Sequence, residues 1–244
     1  MMKKLIVGGI IGIALSFIPL VGCAQLFVGI GLQAGFGNMP NANIPIDRYN
    51  SRAFLYKRMN QFHWPFGEIY EASFRSGRGL VSLNLNTRRQ RATAKSTSTN
   101  GIDQRDVRFT MQALSLGAGY AAIDNETFVW YLGGALDAGY MRLLTRTGPS
   151  NQIARTPYYL YRRLPMLAIT INTKFVFRGS RESIGVWSLT PYLHIPLQKF
   201  DFLSLEQLLN QGSLQVLTTP LPARPVNVGL AFNIDIDLLR FLDN

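Results

Sequence analysis

Strict two-residue alternation near the C-terminus constrains the fold of this chain more than any other feature. From Val226 to Leu238 every second residue is apolar, and the residues between them are Asn, Gly, Ala and Asp. Because successive side chains of a β-strand point to opposite faces, this segment is predicted to be a strand with one apolar face. A second face of small and polar residues suits a strand that separates lipid from a crowded polar lumen.

Seven further segments show the same alternation, so eight strands are predicted. Their ranges are 25–37, 67–75, 80–90, 106–122, 127–143, 164–177, 184–200 and 226–238. The alternation changes parity within the fourth strand, which predicts a β-bulge near Gln112 to Leu114. Pro191 and Pro196 weaken the seventh prediction, since proline supplies no N–H to a ladder.

The connections between these strands alternate between long and short. Long polar connections cover 38–65, 91–105, 144–163 and 201–225, whereas the turns at 76–79, 124–126 and 178–182 are short. An antiparallel barrel with both termini in the periplasm has short periplasmic turns and long extracellular loops. Within the last loop, a helical turn is predicted over 201–212 with Asp201 as N-cap. An extended segment over 213–219 would admit a count of ten strands.

This pattern resembles the eight-stranded outer-membrane barrels of the OmpA transmembrane-domain and OmpX type. The resemblance implies an all-β fold, a closed antiparallel up-and-down transmembrane barrel. It covers nearly all of the chain after residue 24, but it is architectural and includes no diagnostic motif. The chain departs from the pattern at its end, since such barrels commonly finish on an aromatic residue and this one finishes on Asn244.

The N-terminus predicts export. Lys3 and Lys4 precede an apolar run that ends in Gly22-Cys23-Ala24, which is typical of a secretory signal peptide. Residues 1–24 are therefore predicted to be the signal and 25–244 the barrel domain, located in the cell outer membrane. Two processing routes stay open: cleavage after Ala24, or lipidation of Cys23, because Leu20 to Cys23 resembles a bacterial lipobox.

The charge distribution predicts a polyanionic partner. The chain carries a formal net charge of +11, and the predicted outer loops with their flanking strand ends (38–65, 88–106, 142–163 and 198–225) hold 16 Lys or Arg against 5 Asp or Glu. A basic rim at the outer leaflet would attract lipopolysaccharide or another polyanion. The candidate binding residues are Arg88, Arg89, Arg91, Arg146, Arg155, Arg162 and Arg163. Nucleic acid is a poor candidate because no segment resembles a known binding module.

A second set of charges is predicted to point into the lumen, as are Arg88 and Arg108. This candidate charge network consists of Glu71, Arg75, Asp137, Lys174, Arg178, Asp235 and Asp237. Buried charges need partners, so a salt-bridged interior is expected to fill the barrel and fix its register.

Other function classes have weaker support in the sequence. A lipid A-modifying enzyme would need a nucleophile near His194, but Pro196 stands where such a hydrolase would have Ser. A narrow channel and a soluble lipocalin-like barrel are further alternatives. Eight strands leave room only for side chains, which disfavours a channel. The glycine-rich, nearly uncharged second faces of the first, fourth and fifth strands disfavour exposure to water. No cofactor or metal site is predicted, since the chain has two distant His residues and one Cys. A protein partner in an envelope assembly stays open.

Overall fold

The computed structural model describes residues 24–37, 39–52, 54–99, 101–178, 185–210 and 217–238. The predicted signal peptide with Cys23, and residues 213–216 of the predicted extended segment, lie outside these ranges. No helix in the described ranges is long and apolar enough to cross a membrane.

Eight antiparallel strands form a closed ring, which confirms the predicted all-β barrel. They are β1 (Ala24–Phe36), β3 (Phe66–Ser76), β4 (Gly79–Ser98), β5 (Gly101–Asp124), β6 (Phe128–Pro149), β7 (Tyr159–Arg178), β8 (Gly185–Pro196) and β11 (Asn227–Asp237). Each strand pairs with the next, and β1 pairs with β11 from Phe27↔Asp237 to Phe36↔Val228. This last pairing leaves the ring without an edge over its full circumference.

The remaining elements lie in the connections. They are the helices α1 (Pro40–Asn50) and α2 (Leu203–Leu209), the 3₁₀ turn Ile153–Arg155, and the short strands β2 (Leu55–Lys57), β9 (Phe200–Asp201) and β10 (Pro222–Ala223). The helix predicted over 201–212 is thus present, but Phe202 rather than Asp201 occupies its N-cap position. The Asp201 carboxylate instead accepts hydrogen bonds from the N–H groups of Leu203 and Leu221.

The two ends of the barrel differ in the length of their connections. At one end, here called the turn end, lie the tight turns 77–78 and 125–127, the start of β1 and the end of β11. At the opposite end, the loop end, α1, α2, β9 and β10 fill the space above the ring.

The outer face of the ring is apolar over a broad band. On β11 the exposed side chains are Val228, Leu230, Phe232, Ile234 and Ile236, and Ile30, Leu116, Leu136 and Ile171 continue the band on other strands. From Val228 to Ile236 a strand runs about 27 Å, which at a tilt of about 40° spans about 21 Å, close to the height of a lipid-facing band.

Aromatic side chains flank this band at both ends. At the turn end, the Phe177 ring stacks on Trp187 with ring centroids 4.0 Å apart, and Trp130 stacks on Phe175. At the loop end, Phe36 contacts the exposed Trp64 edge to face. Such girdles are typical of membrane–water interfaces.

The predicted bulge near Gln112 is absent. β5 keeps continuous register with β4 and β6 through this region, and its irregularity lies between Ala121 and Ile123. Val107, Phe109 and Met111 therefore point inward, on the same face as Ser115. The parity change in the sequence arises because the lumen itself changes from polar to apolar toward the loop end, while the strand continues unbroken.

Two predicted loops are strands. The ranges 91–105 and 144–163 mostly continue β4, β5, β6 and β7, which rise above the ring as a sheet here called the wall extension (residues 90–98, 101–109, 143–149 and 159–166). Its inner face packs against the loop-end elements in one apolar core that includes Phe62, Phe109, Phe200 and Phe202. The extension forms because this core covers its inner face.

The wall extension has a side edge because β7 extends beyond the end of β8 toward the loop end. Pairing between them ends at Ala168↔Pro196, after which the Leu197 N–H donates to the Leu167 carbonyl and the Gln198 side chain accepts from the Leu167 N–H. Above Leu167, none of the described residues pairs with this edge of β7. Pro165 faces the same edge, since backbone groups alternate sides along a strand.

Close strand approach requires glycine at several positions, and Gly67 is the clearest. A Cβ placed on Gly67 would overlap the Thr87 carbonyl oxygen of β4. Gly67→Ala is therefore expected to separate β3 from β4 and to lower the free energy of unfolding by about 1–3 kcal/mol. Urea unfolding of the protein refolded in detergent measures this change.

Gly185→Ala is the matched control, because no atom of the described residues lies within 4 Å of a Cβ built there. Equal urea midpoints for Gly67→Ala and the wild type would contradict the register described above.

Candidate functional site

The lumen consists of three layers. At the loop end lies the apolar core, which contains all five methionines that follow the predicted signal peptide: Met39, Met59, Met111, Met141 and Met166. At the turn end, Leu80, Ala121, Val129, Tyr131 and Val176 form a smaller apolar cluster. Between these two layers lies a polar layer in which most of the predicted lumen charges are buried.

Lys174 is at the centre of the polar layer. Its ammonium group donates to Glu71 Oε1 at 2.5 Å and lies 3.4 Å from Asp235 Oδ2. Asn233 Nδ2 donates to the other oxygen of Glu71, and Ser188 donates to Asp235. These groups come from β3, β7, β8 and β11, so their contacts cross the lumen and join distant strands.

His194 forms a second cluster in the polar layer. Its Nδ1 lies 2.9 Å from Asp137 Oδ2, and the Thr170 hydroxyl donates to the same oxygen at 2.6 Å. Within the described chain, His194 Nε2 has no hydrogen-bond partner, and the Thr170 hydroxyl lies 3.0 Å from Nδ1 while it donates to Asp137. These contacts link β6, β7 and β8, and they therefore help to fix the register of the three strands.

The cavity in the polar layer is small. Its volume is about 60 Å³, and Asn84, Asn86, Asp137, Asn233 and Lys174 are among the residues that line it. This is room for a few water molecules, whereas pockets for organic ligands measure ~300 Å³ or more. Together with the outward-facing apolar band, this size argues against a lipocalin-like binding barrel.

Two of the predicted lumen residues lie at the turn-end mouth. Arg75 and Arg178 both form ion pairs with Asp124, and Arg75 also donates to Gln25. Asp237 is buried nearby, where Gln25 donates to it at 3.4 Å. The predicted set thus separates into a central group, the His194 pair and this mouth group. Among the described residues, no three His, Cys, Asp or Glu side chains are placed to hold a metal ion.

The central group predicts a large stability effect. Lys174→Met would leave two buried carboxylates without their cation, and breaking a buried pair in this way costs about 3–5 kcal/mol. We expect a lower urea midpoint and loss of the compact form on unheated gels. Lys199→Met removes an exposed ammonium and is the control. A midpoint for Lys174→Met equal to that of the control would show that the central group contributes little.

The predicted polyanion-binding residues fall into three groups. Arg88 is buried in the lumen, where it donates to Gln33 and lies over the Tyr192 ring, so it is not part of an exposed surface. Arg146 is also buried, against Asp106. Arg89 and Arg91 lie on the outer face but pair with Glu68 and Asp106, respectively. Arg155, Arg162 and Arg163 are exposed at the loop end.

Asp106 organises the outer face of the wall extension, although the sequence analysis did not single it out. It is fully buried beneath the connection that contains Tyr158, and Thr93 and Arg146 are its direct cross-strand partners. Burial alone would raise the pKa of Asp106, but hydrogen bonds from Gln104, Arg146, Thr93 and Arg91 outweigh burial and lower the pKa below its usual value.

The pH dependence of stability follows from this lowered pKa. The folded-state pKa lies below the unfolded value of about 3.9, so the stabilisation is present above that pH and is lost as pH falls through the folded value. We expect Asp106→Asn to lower the urea midpoint at pH 6 and to show a smaller further fall between pH 6 and pH 2.5 than the wild type. Parallel falls in the two proteins would contradict this role.

Arginines form a patch on the outer face, immediately above the apolar band. This outer arginine patch consists of Arg89, Arg91, Arg108, Arg142 and Arg163, from β4, β5, β6 and β7. Arg108 was predicted to point inward, but without a bulge it shares the outward parity of Leu114. Its guanidinium lies 3.9 Å from the centroid of the Tyr158 ring, and Arg146 lies at 4.3 Å from the same ring.

Along the strands, the outer face changes from apolar residues to arginines over a short distance. One cross-strand row reads Ile30, Tyr70, Leu85, Leu114, Ala138 and Leu167, and all of these side chains are apolar or aromatic. Four residues further along each strand, the row contains Arg89, Thr110, Arg142 and Arg163. A distance of about 14 Å along a strand thus separates lipid-facing residues from a row with three arginines.

Comparisons with known proteins return structural likenesses only. No protein-family model matches the chain, and no curated protein matches it. Among solved structures, Neisserial surface protein A has a TM-score of 0.46 at 9% identity, with 88% of this chain and 99% of that one covered.

The attachment invasion locus protein Ail of Yersinia pestis, in complex with the heparin analogue sucrose octasulfate, has a TM-score of 0.43 at 10% identity over 88% of this chain and 97% of that one. The outer-membrane protease OmpT of Escherichia coli gives 0.31 at 8% identity, with 88% and 95% covered. Strand order, register and the distribution of apolar and charged residues by themselves give the architecture, that of a small eight-stranded outer-membrane barrel.

Proposed function

We propose that this protein is an exported outer-membrane barrel with a structural and surface-interaction role, whose loop end faces the cell exterior and contacts lipopolysaccharide or another polyanion. The observation that carries the proposal is the position of the exposed arginines, which lie at the loop end next to the apolar band. Residues 1–24 would direct export.

The balance of charge at the loop end supports a polyanionic partner. Three carboxylates at the loop end pair with arginines. Glu68 pairs with Arg89, and Glu206 pairs with Arg48. Asp106 pairs with both Arg91 and Arg146. Arg155, Arg162 and Arg163 form no ion pair with any described carboxylate. A surplus of exposed guanidinium groups attracts phosphate and sulfate, because arginine binds such anions with two parallel hydrogen bonds.

The interior supports a structural role over a channel. The polar layer lies between two apolar layers in the described structure, and its charges are engaged with one another. Ions would have to cross both apolar layers. The contacts of His194 with Asp137 and Thr170 join three neighbouring strands, which supports a structural role for this cluster.

Binding to lipopolysaccharide tests the proposal. Arg155→Gln combined with Arg162→Gln is expected to weaken binding by about 2 kcal/mol, or roughly 30-fold, since each arginine near an anionic surface contributes ~1 kcal/mol. Binding of the refolded protein in neutral detergent, measured by calorimetry, should also weaken with rising salt.

Arg78→Gln is the control, because it removes an exposed arginine at the turn end. If the wild type shows no salt-dependent binding to lipopolysaccharide or to a sulfated polysaccharide, or if the control weakens binding as much as the double variant, the proposal is wrong.

A further inference from the structure

Two arginines of the outer arginine patch lie directly opposite each other on neighbouring strands, which lowers the stability of the isolated protein. Arg142 of β6 and Arg163 of β7 are direct cross-strand partners on the outer face. Like charges placed directly opposite each other destabilise a sheet. Neither guanidinium forms an ion pair with any carboxylate in the described ranges, and Arg142 Nε is buried without a hydrogen-bond partner.

The neighbouring arginines differ in this respect. Arg89 lies in the same cross-strand row but pairs with Glu68, and Arg91 pairs with Asp106. Arg91 is itself directly opposite Arg108, so the sheet contains a second like-charge pair, and there the protein supplies a carboxylate. For the Arg142–Arg163 pair, the described residues supply no carboxylate, so the anion would have to come from another molecule.

An aromatic ring holds the two guanidinium groups in place. The Arg163 guanidinium carbon lies 3.5 Å from the centroid of the Tyr140 ring, and that of Arg142 lies 6.0 Å from it. Stacking on an aromatic face restricts a guanidinium and leaves its edge free to donate. Both groups are therefore positioned before a ligand arrives.

The surroundings indicate the class of ligand. Next to the pair along each strand come Tyr140 and Pro165, and then Ala138 and the exposed Leu167 of the apolar band. An anion bound by both arginines would lie at headgroup height, with hydrocarbon contacts immediately below it. A phosphate monoester on a lipid meets both conditions, whereas a soluble polyanion meets only the first.

We propose that Arg142 and Arg163, positioned by Tyr140, form a lateral binding site on the barrel wall for the phosphate group of an outer-leaflet lipid. This inference rests on the proposed function, since it requires the loop end to lie at the outer leaflet. It goes beyond it by placing the lipid contact on the wall and assigning it to one pair of residues.

The site is tested with Arg142→Gln and Arg163→Gln, each compared with Arg89→Gln. The control removes the same charge from the same row, but from an arginine that already has a carboxylate. The probe is diphosphoryl lipid A in dodecylmaltoside micelles. We expect each site variant to bind about fivefold more weakly than the wild type, and Arg89→Gln to bind as the wild type does.

Stability provides a second readout with the opposite sign. In micelles without lipid A, Arg163→Gln is expected to keep or raise the urea midpoint, because it removes the like-charge opposition. With lipid A, the wild-type midpoint should rise further than that of the variant, because the ligand stabilises the state it binds. A purely structural role for Arg163 would instead lower the midpoint in both conditions.

The outcomes separate this inference from the proposed function. If the site variants match Arg89→Gln while Arg155→Gln with Arg162→Gln weakens binding, the wall site is wrong and the proposed function stands. If inorganic phosphate binds as tightly as lipid A and is equally sensitive to Arg163→Gln, the assignment to a lipid is wrong. If no variant changes binding to any anionic probe, both are wrong.

Discussion

The structure depends on closure of the backbone hydrogen-bond ring between the first and last strands. In hydrocarbon an unpaired N–H or C=O has no water to bond, so a sheet can be surrounded by lipid only if it has no edge there. The β1–β11 ladder, with ten paired positions, provides this closure. The glycines on β1 follow from it, since Asp235 and Asn233 of β11 lie directly over Gly29 and Gly31 and occupy the space that side chains would need.

Closure also separates the charges of the molecule into two environments. Lys174 and its carboxylate partners are buried between apolar layers, where ion pairs are hardly screened and each group depends on its partner. The arginines of the outer patch lie on the far side of the same wall, beside water and the apolar band. Charged side chains therefore join the strands inside the barrel, and under the proposed function they bind an anion outside it.

The sequence is informative about the barrel and much less so about its loop end. Strands facing lipid on one side alternate strictly, so Leu230, Phe232 and Ile234 on β11 predict both the strand and its outward face. In the wall extension the apolar face is turned inward, toward Phe62 and Phe200 from remote parts of the chain. Because the sequence does not reveal that distant core, the Arg, Thr and Ser residues on the other face predict a loop instead of a strand.

The candidate sites divide in the same way. The residues of the central lumen group could be predicted from the two-residue alternation alone, because a charged side chain on the inward face of a narrow barrel must lie in its lumen. The Asp106 cluster and the Arg142–Arg163 pair could not, because they depend on cross-strand register. A shift of one residue would turn Arg108 inward, which is the error that the supposed bulge near Gln112 produced.

The overhang of β7 beyond β8 leaves a strip of sheet that no strand of the described residues covers, and other chains can add strands to such an edge and aggregate. Pro165 faces this strip and offers no N–H, and Arg162 and Arg163 bring charge to it. A second molecule with the same arginines would meet like charge along its whole approach. Both features oppose the addition of a strand from another molecule to the wall where it rises above the ring.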